Sequence, residues 1–109
     1  MKLSTHVLDT ARGVPGAGIL VTLLALDGEP RVLVQTLTNA DGRTDEPLAV
    51  DLPAGRYEVA FAVGTYFARQ NVPTLYEIIP VRFRIDDPAR DYHVPLLLSP
   101  WGYSTYRGS

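Results

Sequence analysis

Cysteine is absent from the 109-residue chain, methionine and tryptophan occur once each, and histidine occurs only twice. Without cysteine there is no disulfide framework, no thiolate nucleophile and no zinc site of the cysteine-containing kinds. Charge of one sign is equally scarce, because ten Lys and Arg stand against twelve Asp and Glu for a formal net charge of −2. The Arg residues are scattered, so the basic stripe that neutralises phosphates is missing, and neither nucleic acid nor an acidic membrane surface is expected as a partner. Long apolar runs are missing too. Stretches such as Leu23 to Leu26 fall far below the roughly 18 residues needed to span a bilayer. The opening Leu3-Ser4-Thr5-His6 is too polar for an export signal, which favours a cytoplasmic location, and the ending Arg-Gly-Ser does not match the Ser-Lys-Leu peroxisomal address.

What the chain does have is an ordinary globular balance, 46% hydrophobic and 20% charged, in a length that fits one domain over residues 1–109 with its own core. Nine Gly and nine Pro fall in clusters between short alternating segments, the punctuation of strands joined by turns. The turns are Gly13-Val14-Pro15-Gly16, Asp27-Gly28-Glu29-Pro30, Asn39-Ala40-Asp41-Gly42, Pro53-Ala54-Gly55 and Asp86-Asp87-Pro88, rich in residues that tolerate positive φ. Between them, Tyr57, Val59, Phe61 and Val63 alternate with Glu58, Ala60 and Ala62, as a half-buried strand requires. Ile79, Val81, Phe83 and Ile85 alternate with Pro80, Arg82 and Arg84, and Pro80 assigns that strand to an edge or a bulge. Extending this reading gives about eight strands, near 3–9, 18–27, 31–38, 47–51, 56–63, 76–85, 91–98 and 103–107. The expected fold is therefore all-β, an eight-stranded antiparallel sandwich. Thr65 to Val72 lacks strict alternation and stops at Pro73, which predicts the one short helix.

Candidate chemistry is sparse. His6 and His93 both lie in predicted strands, where a lone histidine is more often packed or solvent-facing than catalytic. In Tyr92-His93-Val94-Pro95-Leu96-Leu97-Leu98 the set Val94, Leu96 and Leu98 points one way, so His93 shares the other face with Pro95 and Leu97. That second face is apolar enough to suit a subunit boundary. Arg43 follows the Asn39-Ala40-Asp41-Gly42 turn, and the tail Tyr103-Ser104-Thr105-Tyr106-Arg107-Gly108-Ser109 is either a frayed end or a surface on which Tyr106 and Arg107 stack on and hydrogen-bond a planar heterocycle. There is no H-E-x-x-H, no G-x-S-x-G and no Gly-rich phosphate loop.

Three segments together, LSTHVLDTARGVPGAG at 3–18, TNADGRTDEPL at 38–48 and YHVPLLLSPWGYSTYRGS at 92–109, resemble the transthyretin-related family and, within it, the 5-hydroxyisourate hydrolases. The terminal Tyr106-Arg107-Gly108-Ser109 is similar to the closing signature that separates those hydrolases from hormone-carrying transthyretins. Trp101 and Leu75-Tyr76-Glu77 depart from the family pattern. The resemblance implies a transthyretin-like (prealbumin-like) sandwich of eight strands and one helix. It also implies a homotetramer built as a dimer of dimers, with active sites between the dimers and no metal or organic cofactor. The implied reaction is hydrolytic opening of the six-membered ring of 5-hydroxyisourate in urate degradation. Carried over by position, His6, Arg43, His93 and Ser109 are the implied catalytic residues, and Arg43, Tyr106, Arg107, Gly108 and Ser109 the implied substrate-binding ones. Water attack on a ring carbonyl needs a base near neutral pH, and either imidazole suits. Arg43 would hold substrate oxygens, and the tail, with the α-carboxylate of Ser109, would close the pocket. Two rivals share the fold: a small-ligand carrier, which has no need of His6, Arg43 and His93 together, and a non-catalytic sandwich module resembling Gly13 to Val63, which leaves the tail unexplained.

Overall fold

Alternation becomes layering in the structure, a computed structural model that describes residues 1–109. In chain order the strands are β1 (Lys2–Ser4), β2 (Val7–Asp9), β3 (Val14–Pro15), β4 (Leu20–Ala25), β5 (Arg31–Leu37), β6 (Ala49–Val50), β7 (Gly55–Ala62), β8 (Ile78–Ile85), β9 (Tyr92–His93), β10 (Leu96–Ser99) and β11 (Gly102–Thr105). Helix α1 (Val63–Ala68) sits between β7 and β8. One layer is the antiparallel sheet β5-β4-β7-β8. Its inward residues Val21, Leu23, Val59, Phe61 and Ile79 are fully buried, while Glu58, Arg82 and Arg84 face outward. Pro80 sits on β8, an edge strand, as its missing N–H requires.

The facing layer is assembled from two smaller sheets, β6-β1-β9 and β11-β10-β2-β3. They are continuous across a shared bend. The segment read as one strand over 3–9 breaks at Thr5-His6, and the one over 91–98 breaks at Val94-Pro95. The ladder persists through the bend, with Val94 N–H donating to the Ser4 carbonyl and Leu96 N–H to the His6 carbonyl, both at 2.9 Å. Pro95 supplies no donor, and the Thr5 hydroxyl donates to the Val94 carbonyl at 2.7 Å. Both strands kink where the two histidines sit. Leu3, Val7, Leu96 and Leu98 close the core from this side, each with no exposed surface. Pro95 is buried as well, so the outward face of this segment consists of His93 and Leu97 without it.

Three further details differ from the sequence reading. Pairing of β1 with β9 and of β2 with β10 is parallel, which adjacent-strand logic does not reveal because the partners are distant in sequence. Val14–Pro15, read as turn, makes a short antiparallel pair with β2. The helix covers Val63–Ala68 rather than 65–72. Tyr66 and Phe67 are buried, and the chain leaves the helix through Asn71, whose φ of 56° is the left-handed conformation asparagine tolerates. The helix is tied to β2 by Asp9, 1% exposed, which accepts the Tyr66 hydroxyl at 2.6 Å and the Arg12 N–H at 3.0 Å. Burial, reinforced by this bond, raises the Tyr66 phenol above its usual range. No helix is long and apolar enough to cross a membrane.

Candidate active site

The turn read from Asn39-Ala40-Asp41-Gly42 is built by its first side chain. Asn39 Oδ1 accepts the N–H of Asp41 at 2.9 Å and of Arg43 at 3.2 Å, while Asn39 N–H donates to the Arg43 carbonyl at 2.7 Å. Gly42 adopts φ 74°, and a Cβ there would lie 2.3 Å from the Val7 carbonyl oxygen. Only glycine permits this approach, and it lets Gly42 accept the Val7 N–H at 2.8 Å. The turn is thus riveted to β2 directly beside His6, and Arg43 is presented outward next to it.

His6 Nε2 lies 3.0 Å from the Asp41 carbonyl. A carbonyl only accepts, so Nε2 carries the proton, and in the neutral ring the lone pair resides on Nδ1. His93 is the register partner of Ser4, and its Nδ1 is 2.8 Å from the Ser4 hydroxyl. Its Nε2 has no partner in the chain, and since no buried polar side-chain atom is left unpaired, that nitrogen is open to solvent. Burial holds the His93 imidazole below its ordinary value, and the charges of Arg43 and then His6 push the same way, against a weaker upward pull from the Ser4 backbone. His6 beside the turn that carries Arg43 and His93 opposite Ser4 thus flank one bend, and Ser109 lines a cleft with His93.

The tail closes on this group. Gly108 bridges to His93, its N–H donating to the His93 carbonyl at 2.8 Å, and a Cβ at Gly108 would meet His93 Cδ2 at 2.3 Å. Ser4 and Pro47 are common to two adjoining clefts of about 210 Å³ each, one opening toward Arg43 and the other toward His93 and Ser109. Tyr106 and Arg107 are placed differently. They line a cleft of about 240 Å³ on another side of His93, toward the β8 edge. The Arg107 guanidinium lies 4.6 Å from the centre of the Tyr92 ring and donates to the Asp91 carbonyl at 3.3 Å, while Tyr106 stays 56% exposed. Ser4 was not among the residues singled out from the sequence. The available signal was its position two residues before His6 in a predicted strand, which puts both on one face.

The chain matches the family model described as "HIUase/Transthyretin family" over residues 3–108. It is 50% identical to 5-hydroxyisourate hydrolase 2 of Rhizobium meliloti, covering 99% of this chain and 96% of the relative. Among solved structures, 5-hydroxyisourate hydrolase of Klebsiella pneumoniae superposes with a TM-score of 0.87 at 40% identity, covering 100% of both chains. (S)-allantoin synthase superposes with a TM-score of 0.92 at 39% identity, covering 99% of this chain but 43% of that longer one. With sandwich, bend and tail matched from end to end, the chain belongs to the HIUase/transthyretin family.

Proposed function

We propose that this protein is a 5-hydroxyisourate hydrolase, opening the six-membered ring of its substrate to give 2-oxo-4-hydroxy-4-carboxy-5-ureidoimidazoline. The observation that carries this is the convergence of His6, Arg43 and a His93 biased toward its neutral form at one bend, in a chain whose relatives bear that name over their full length.

His93, held below the ordinary imidazole value, is unprotonated at neutral pH and takes a proton from water through Nε2. The resulting hydroxide adds to a ring carbonyl, whose oxygen becomes negative beside the Arg43 guanidinium. The ring C–N bond then breaks, and the proton held on His93 passes to the departing nitrogen. His6, its tautomer set by Asp41, orients the water through Nδ1. Ser109 walls the cleft it shares with His93, and Tyr106 with Arg107 line the neighbouring cleft on another side of that ring.

The same reading includes assembly as a dimer of dimers with the site between dimers. It is supported by the free edges of β8 and β11 and by Val14, Tyr103 and Tyr106, which are 36%, 41% and 56% exposed, a pattern that suits an interface. Generating 5-hydroxyisourate from urate in situ and following its ultraviolet absorbance tests the activity. Decay faster than the spontaneous rate, lost in folded His93→Ala and Arg43→Ala variants, is the expected result. No acceleration by the wild-type assembly overturns the hydrolase and leaves a ligand carrier of the same fold. Loss of specific activity on dilution, in step with dissociation in the ultracentrifuge, is expected of a shared site, and activity in a demonstrated monomer refutes it.

A further inference from the structure

We infer that Ser4 is a positioning residue that locks the His93 imidazole as the Nδ1–H tautomer and so dedicates Nε2 to the reaction, an inference that rests on the hydrolase reading above. Three features of the structure meet on this ring. The first is register: the parallel pairing of β1 with β9 sets Ser4 directly opposite His93, and the Ser4 hydroxyl falls 2.8 Å from Nδ1. The second is the Ser4 backbone, whose carbonyl accepts the Val94 N–H at 2.9 Å and so pins Ser4 to the strand that carries His93. The hydroxyl oxygen can accept from this nitrogen, and Nε2 can take a proton from water only when Nδ1 carries the neutral ring's own, so the base role proposed above makes the nitrogen facing Ser4 the donor. The third is the tail, where Gly108 lies so close to Cδ2 that a Cβ would stand 2.3 Å away. That packing flanks the ring on its Cδ2 side, away from Nδ1 and Ser4.

The free imidazole prefers no such arrangement on its own account, and the hydrogen bond made by one nitrogen decides what the other can do. A ring held with Nδ1–H against Ser4 offers the Nε2 lone pair to the cleft, where no protein group competes for it. A ring in the opposite tautomer would offer an N–H there and could not take a proton from water. Ser4 touches neither water nor substrate in this scheme. It acts through His93, as the orienting partner in a nucleophile–base pair acts through the base.

The test is the wild-type protein with ¹⁵N-labelled histidine beside Ser4→Ala and Ser4→Thr variants. Imidazole nitrogen shifts are read above the His93 titration, and kcat and KM are read with 5-hydroxyisourate. Wild type is expected to show His93 predominantly as Nδ1–H. Ser4→Ala should give a mixed or reversed tautomer signal with kcat lowered about tenfold, the loss of one ordinary hydrogen bond's worth of orientation, and KM little changed. Ser4→Thr, which keeps the hydroxyl, should restore both. An Nε2–H wild-type ring, or a folded Ser4→Ala enzyme with full kcat, overturns the inference. A wild type that does not hydrolyse the substrate overturns the functional reading and Ser4's part in catalysis with it. The nitrogen shifts then still decide whether Ser4 holds the tautomer.

Discussion

Replacing Gly108 with alanine separates the function of the tail from the stability of the fold. The new methyl carbon would lie 2.3 Å from His93 Cδ2, 3.1 Å from Cγ and 3.3 Å from Cβ, whereas carbon atoms rest at about 3.5–4.0 Å. Relief therefore needs a displacement of about 1 Å, by the tail or by the imidazole. The tail loses its N–H donation to the His93 carbonyl, which costs about 1 kcal/mol and lowers Tm by no more than about 4–8 °C in a domain of this size. Turnover should suffer far more, because a reacting group misplaced by about 1 Å can lose about 100-fold in rate. Ultraviolet decay of 5-hydroxyisourate measures kcat and calorimetry measures Tm on the same preparations. Adding Gly108→Ala to His93→Ala should cost little beyond the single variant, since the ring it collides with is gone. A folded Gly108→Ala protein with kcat within about threefold of wild type would refute the contact-based reasoning.

Two further outcomes follow from the structure. Since burial and neighbouring positive charge hold His93 below its ordinary value of 6.5, its titration followed by NMR should have a midpoint under 6.5, and Arg43→Gln should move that midpoint upward. A wild-type midpoint at or above 6.5 contradicts this. The folded state resists protonating His93, so its contribution to stability is present above about 6.5 and is lost as pH falls through the folded-state value. Tyr66→Phe removes one of the two hydrogen bonds to the buried Asp9 carboxylate and should destabilise by about 1–3 kcal/mol with kcat intact. An unchanged melting curve, or a large loss of kcat with unchanged Tm, would show that this pair does something other than brace the helix.

Local chemistry made much of this readable in advance. Tyr57, Val59 and Phe61 alternate and are buried as alternation demands, Pro80 marks an edge strand, and Asn39 with Gly42 builds the turn that presents Arg43. What escaped was non-local. Nothing within residues 3–9 or 91–98 announces that the two run parallel, because that pairing is decided by strands far apart in the chain. The bend at Thr5-His6 needed the Thr5 hydroxyl bound to Val94 and the missing donor of Pro95, two features that act only after the strands have met. For the same reason Ser4 looked like an ordinary strand residue. The candidate residues were nameable from the resemblance, while their arrangement was not. Arg107, expected to hold substrate, has its guanidinium against Tyr92, a partner fifteen positions earlier in the chain.

The parallel seam also places the chemistry in time. Ser4 and His93 are 89 positions apart, so their contact closes one of the longest loops the chain can make, and such closures carry an entropic cost that slows folding. No hairpin, and no partly made sheet lacking either end, contains both partners. Catalytic competence thus arrives only when the outermost stretches of the polypeptide have found each other. Regain of turnover during refolding accordingly cannot precede that closure, nor the subunit assembly that a shared site requires.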